Sequence, residues 1–292
     1  MKIIDPHLHL FDLQKGDYLW LKAQNPPFWP DKAVIVKNFS AQNLTLPPPL
    51  TLAGFVHIEA GFDNQQPWRE IAWLENTMLA AGNNIAFRSV AMLDITLPQP
   101  RFLTQLETLT RYKSVVGIRY ILDDDALAIL NHENSKNNLA LLAENQLSFE
   151  LQMPLANTAA TNKLMALLQA IPDLSLVINH AGSPAYTDKQ NSSWLQNLKR
   201  LAKLPSVYIK CSGYEMADRK YSPLWQQNII KHCIESFGIN RVMLASNFPL
   251  CLLSTSYQET WLKNTDLNNQ TQLNTEQLQQ LCFSNAQQFY QF

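Results

Sequence analysis

Eight short apolar runs, separated by helix-length amphipathic stretches along 292 residues, constrain this chain more than any other feature. The runs are residues 2–5, 54–58, 87–93, 115–119, 148–152, 175–179, 207–211 and 241–245. Most are continuously apolar and do not alternate strictly, which is how strands of a parallel sheet covered by helices read. Between them, residues 67–82 place Ile71, Leu74, Met78 and Leu79 on one face and stop at Gly82. Residues 158–172 and 192–205 end at Pro172 and Pro205, and residues 223–238 close on Gly238. The tail, 275–289, reads as a helix with Leu278, Leu281 and Phe289 turned inward. This alternation reads as an α/β chain folded as a (β/α)8 barrel, with a doubly wound open sheet as its rival. No linker composition interrupts it, so one domain is expected over 1–292. Residues 10–52 are too long for an ordinary connection. They carry "NPPFWP", "LPPPL" and the aromatics Tyr18, Trp20, Phe28 and Trp29. Because this segment follows the first strand, it should lie over the C-terminal face and cover a site there.

Composition narrows the partners. Net charge is −1 and no basic run occurs, so neither nucleic acid nor an anionic membrane is expected as a partner. No apolar run approaches the roughly 20 residues needed to span a bilayer, and "MKIID" lacks the regions of a signal peptide. Cys211, Cys233, Cys251 and Cys282 show no CxxC spacing and read as free thiols of a reducing, cytoplasmic setting.

In such a barrel, chemistry gathers where strands end at their C-terminal side. Strand 1 ends in Asp5, His7 and His9, and strand 2 runs into His57 and Glu59. Strand 4 gives Arg119, strand 5 gives Glu150 and Gln152, and strand 6 ends at His180. Strand 7 places Lys210 and Ser212 on one side, and strand 8 ends at Asn247. Four of the six histidines therefore lie at strand ends, whereas His132 and His232 fall in helical stretches. Asp123–Asp125 read as a helix cap and first-turn charges. Lys210 reads equally as a buried partner of Glu150, and Cys211, facing away from Lys210, as a packing residue.

The ordered set "DPHLHLFD", "GFVHIEAGFD", "GIRYIL", "LSFELQMP", "VINHAGSP", "YIKCSGYEM" and "RVMLASNFP" resembles the amidohydrolase-related family. That family consists of (β/α)8 metal-dependent hydrolases, among them 2-pyrone-4,6-dicarboxylate lactonase and sugar-acid lactonases. The resemblance implies a divalent metal, zinc foremost, at His7, His9 and His180, although some lactonases of the family work without one. It implies a catalytic site around His180 and the Asn247 position, with Arg119 as a substrate-binding residue. The strand ends themselves add Glu59 as a further catalytic candidate and Lys210 and His57 as further substrate-binding candidates. The implied substrate is a small, carboxylate-bearing cyclic ester. Asn247 departs from the pattern: many relatives hold there the aspartate that deprotonates water, and an amide has no useful basicity. The position two beyond Pro249 is Cys251, so no local carboxylate replaces it. Three readings stay open. Glu59 or His180 serves as base; or His180 and Arg119 only polarise a reactive carbonyl; or the barrel binds a ligand without turnover. A decarboxylase on the same barrel is the rival among enzymes.

Overall fold

A computed structural model of the chain describes residues 1–80, 82, 85–187, 191–267 and 273–292. Eight strands pair in the order β1 to β8, and each pair of neighbours in that order is parallel. They are β1 (Lys2–Leu8), β2 (Thr51–Ile58), β3 (Ala86–Met92), β4 (Val115–Ile121), β5 (Ser148–Gln152), β6 (Leu176–Ile178), β7 (Val207–Cys211) and β8 (Val242–Leu244). The open-sheet alternative is excluded at the seam. Asn247 N–H donates to the His7 carbonyl at 3.0 Å and His9 N–H to the Phe248 carbonyl at 2.6 Å, which ties the end of β8 to the end of β1. The chain is a (β/α)8 barrel.

Period-two alternation sorts the strand residues into two cores. Ile4, Val56, Ile58, Val90, Val177 and Met243 pack together inside the barrel with Tyr290. Ile3, Phe55, Ala91, Ile118, Phe149 and Ile209 face outward into the larger core beneath the helices. Helices α1 (Trp68–Ala80), α2 (Thr158–Ala170) and α3 (Pro223–Phe237) follow β2, β5 and β7. Asn157 caps α2 by accepting from Ala160 N–H, and Ser222 caps α3 by accepting from Trp225 N–H.

Two sequence expectations are corrected here. Leu79 lies on the outer face of α1 and is exposed, because the buried stripe runs Ile71, Leu74, Met78. That helix ends at Ala80, and Ala81 lies outside the described residues. In the tail, a wide turn at Gln280–Ser284 shifts the helical phase. Leu278 and Leu281 stay buried, but Tyr290 takes the inner place expected of Phe289. Tyr290 plugs the N-terminal mouth of the barrel and leaves the opposite end open. No helix among the described residues is long and apolar enough to cross a membrane.

Candidate active site

The two seam bonds between β8 and β1 also set the centre of the site, since they join His7 and His9 to Asn247 and Phe248. The His7 ring is fully buried, with Nδ1 3.1 Å from Asn179 Oδ1. An amide oxygen only accepts, so Nδ1 carries the proton and the lone pair sits on Nε2. That Nε2 is buried without a partner. His9 Nδ1 likewise donates to the Ile58 carbonyl at 2.8 Å. His180 Nδ1 lies 3.1 Å from Ser212 Oγ, and its ring centroid is 4.6 Å from that of His7. Burial, followed by neighbouring cations, holds His7 and His9 well below the ordinary histidine range and takes His180 to about 3. All three imidazoles are therefore neutral at physiological pH. His180 and Asn247 both adopt left-handed backbone, at φ 53° and 58°. Asparagine tolerates that conformation better than most residues, and such strain collects at functional sites.

The other candidates are sorted by which face of the barrel they occupy. Arg119 points inward, and its Nε donates to Glu59 Oε1 at 2.7 Å, its Nη2 to the Glu59 carbonyl and its Nη1 to Gln152. Arg119 is thus joined to a carboxylate of the protein, and Glu59 is an ion-paired acceptor rather than a free base. His57 faces outward between Val56 and Ile58. Its Nε2 meets Glu70 of α1 at 3.0 Å and its Nδ1 accepts from Leu10 N–H, so both ring nitrogens are engaged within the protein and the residue lies off the cavity lining. Lys210 points inward but lies deep, where its Nζ donates to Glu150 at 2.6 Å; Tyr290 hydroxyl donates to the other oxygen of Glu150 at 2.5 Å. Lys210 is a barrel-core cation and not a substrate ligand. The Asp123–Asp125 turn makes no capping bond, and Asp123 and Asp124 line the cavity instead.

Above these residues opens a cavity of about 1250 Å³. His9, Glu59, Arg119, His180, Ser212 and Asn247 form its floor, and Trp20, Trp29, Pro26 and Pro27 of the 10–52 segment form one wall. That segment is held by Lys32, whose buried ammonium donates to the carbonyls of Trp20, Lys22 and Asn25. Arg219 pairs with Asp31 at 2.8 Å and fastens the segment to the chain after β7.

The sequence matches the amidohydrolase family over residues 4–292. The chain belongs to the amidohydrolase family. It is 28% identical over 270 residues to protein y4mH of Sinorhizobium fredii, covering 89% of each chain. It is 27% identical over 277 residues to L-fucono-1,5-lactonase of Burkholderia multivorans, covering 88% of this chain and 85% of that one. The crystal structure of an amidohydrolase from Burkholderia multivorans with bound zinc superposes with a TM-score of 0.80 at 23% identity, covering 100% of both chains.

The family is one of hydrolases acting on small molecules and typically binds a divalent metal. In this amidohydrolase, His7 and His9 suit such an ion. Each donates Nδ1–H to an oxygen and leaves Nε2 as a neutral donor, the usual posture of a metal-bound histidine. The set is not closed, however. Among the described residues no three His, Cys, Asp or Glu side chains gather to hold a metal. His180 stands beside this pair, its ring centroid 4.6 Å from that of His7.

Several residues of the amidohydrolase site escaped sequence reasoning. Ser212 was placed on the right face of β7 without a role, and it orients His180. Glu215 was passed over, yet it is buried and accepts from Asn247 Nδ2 at 2.5 Å, with burial pushing its carboxyl up to about 7. Its one sequence signal is an acid two residues after the strand 7 "SG".

Gly213 carries a test of this arrangement. Its φ is +70°, and a Cβ there would stand 2.5 Å from His180 Nδ1. Gly213→Ala is expected to push the imidazole off Ser212 and lower kcat by about 100-fold, as misplacement of a catalytic group by about 1 Å does. Steady-state kinetics check it; unchanged kcat in the folded variant contradicts the placement of His180.

Proposed function

We propose that this amidohydrolase opens the lactone of a neutral, hydroxylated sugar acid. The observation that carries the reading is the charge of the cavity. Among its described lining residues, the cation Arg119 is already paired with Glu59, while Asp123, Asp124 and Asp218 add further negative charge. Even with a divalent ion at His7 and His9 the three aspartates leave the balance negative, so a carboxylate-bearing substrate would be repelled there. A neutral lactone would not, and its ring opening creates a carboxylate that the same field drives out. Hydroxyl groups find acceptors in Glu59 and the aspartates, and the Trp20 and Trp29 faces suit the C–H surface of a sugar ring. The likeness to L-fucono-1,5-lactonase supports the same class.

His180 is proposed as the proton acceptor, since its imidazole is neutral, oriented by Ser212 and at the cavity wall. Asn247 cannot take a proton, but its Oδ1 is buried without a partner, as is His7 Nε2. Both atoms accept, so what satisfies them must donate: water, a hydroxyl or a cation. Asn247 therefore orients the attacking water. Arg119 retains guanidinium N–H groups beyond those given to Glu59 and Gln152, and these face the carbonyl oxygen of the ester. A divalent ion, zinc by the softness of imidazole, would be held by His7 and His9 and would polarise that carbonyl. The buried free cysteines accord with a cytoplasmic setting, which belongs to this proposal.

The experiment is a panel of sugar lactones offered to zinc-supplemented protein, with proton release and product mass recorded. Ring opening of at least one neutral lactone is expected, without carbon dioxide. Carbon dioxide release from an aromatic acid would establish the decarboxylase instead. Asn247 is the observation favouring a second reading, a ligand-binding protein on a hydrolase barrel; binding of lactones with no turnover across the panel would establish that.

A further inference from the structure

Glu215 is buried beside the cavity floor, and the chemistry above does not use it. It lies in the four-residue helix Tyr214–Ala217, which starts directly after Gly213. Its Oε1 accepts from Asn247 Nδ2 at 2.5 Å, and Arg219 donates to its carbonyl oxygen. In this bond Glu215 is the acceptor, and above about pH 7, where the carboxyl is ionised, it can only accept, so the amide of Asn247 must turn its nitrogen toward Glu215. The amide oxygen then has to face the other way. That oxygen is buried and has no partner in the protein, and Asn247 lines the cavity.

We propose that Glu215 is a positioning residue that fixes the amide of Asn247 so that its Oδ1 is presented to the bound ligand as an obligatory acceptor. This rests on the reading given above, in which Asn247 Oδ1 accepts from what binds in the cavity, the attacking water first. The asparagine at strand 8 is then one half of a matched pair, not the relic of a lost base. Without the carboxylate, the amide could turn over and offer N–H groups to an atom that is itself a donor. An aspartate at this position would face Glu215 across 2.5 Å, and two carboxylates that close cannot both ionise. Restoring the acid on strand 8 therefore requires a donor on strand 7.

The test is a four-protein cycle: the wild type, Asn247→Asp, Glu215→Gln and the double variant, each measured by thermal unfolding and by lactone kinetics. Asn247→Asp is expected to lower Tm by about 5 °C and to lose turnover. Glu215→Gln alone leaves an acceptor in place but no longer enforces the amide orientation. It should lower kcat about 5-fold, the equivalent of one hydrogen bond, with little change in KM. In the double variant, donor and acceptor are exchanged, and most of both losses should be recovered. If Asn247→Asp fails to fold alone, recovery of folded protein in the double variant is the same supporting result. Equal effects of Asn247→Asp in both backgrounds, in Tm and in kcat, would overturn the proposal. Should the wild type turn over no lactone, the proposed function fails on that measurement, while the unfolding cycle still decides the coupling.

Discussion

His180→Ala is expected to lower kcat for a neutral sugar lactone by about 1000-fold, within the range usual for loss of a general acid–base group. The expectation follows from what the neighbouring groups can and cannot do. Glu59 is held by Arg119 at 2.7 Å, and Asn247 is an amide. Among the described residues that line the cavity floor, His180 is a neutral imidazole oriented by a hydroxyl, with Ser212 Oγ 3.1 Å from its Nδ1. Burial takes its pKa to about 3, so it enters the reaction unprotonated, and it is the negative charge developing on the lactone as water adds that raises its affinity for the proton. The ring stands at the cavity wall, so its removal should change Tm little. Steady-state kinetics with thermal unfolding on the same samples check both halves. Retention of more than a tenth of wild-type kcat would remove His180 from the proton-transfer role and leave carbonyl polarisation as the whole of catalysis.

The largest expected effect on stability comes from Lys210→Met. Lys210 and Glu150 are both fully buried and lie 2.6 Å apart, with Tyr290 closing the other oxygen of Glu150. Burial pulls the Lys210 ammonium down to about 8, and Glu150 counters that pull and keeps it charged. Removing one member strands a buried carboxylate inside the barrel, which costs about 3–5 kcal/mol. For a chain this long that is a fall in Tm of about 8 °C. Replacing both, as Lys210→Met with Glu150→Met, should cost much less, because no charge is then left uncompensated. Scanning calorimetry on the single and double variants checks it. A single variant as stable as the wild type would mean that the pair does not hold the barrel core.

The (β/α)8 architecture was legible because its signal is local: apolar runs of strand length and helical periodicity both survive in a single sequence. The positions of β5 and β7 match their apolar runs residue for residue. Strand ends also predicted correctly that His9, Glu59, Arg119, His180 and Asn247 would meet in one cavity. What the sequence could not supply was the face and depth of each side chain. His57 and Glu59 are two apart and looked equivalent. However, β2 ends at Ile58, so His57 still obeys the alternation and turns outward to Glu70, while Glu59 leaves the strand and enters the site. Lys210 has the right face but the wrong depth. Asp123 and Asp124 resemble cap residues because a turn does follow β4, but they make no capping bond and both line the cavity. Pairing across long separations was equally hidden: Glu215 reaches Asn247 over 32 residues and Arg119 reaches Glu59 over 60.

The proposed function departs from the substrate expected from the sequence, a carboxylate-bearing ligand held by Arg119 with Lys210 beside it. Both cations are instead bound to glutamates of the protein, and the aspartates at the rim turn the balance negative. The charge of the substrate is therefore the point on which the account stands. The most direct measurement is the ratio of kcat/KM for a neutral sugar lactone to that for a pyrone dicarboxylate, at low ionic strength where the field is least screened. The account predicts a ratio above about 100, the two or more units of charge repulsion being worth a few kcal/mol in a partly enclosed cavity. A preference for the dicarboxylate would contradict it.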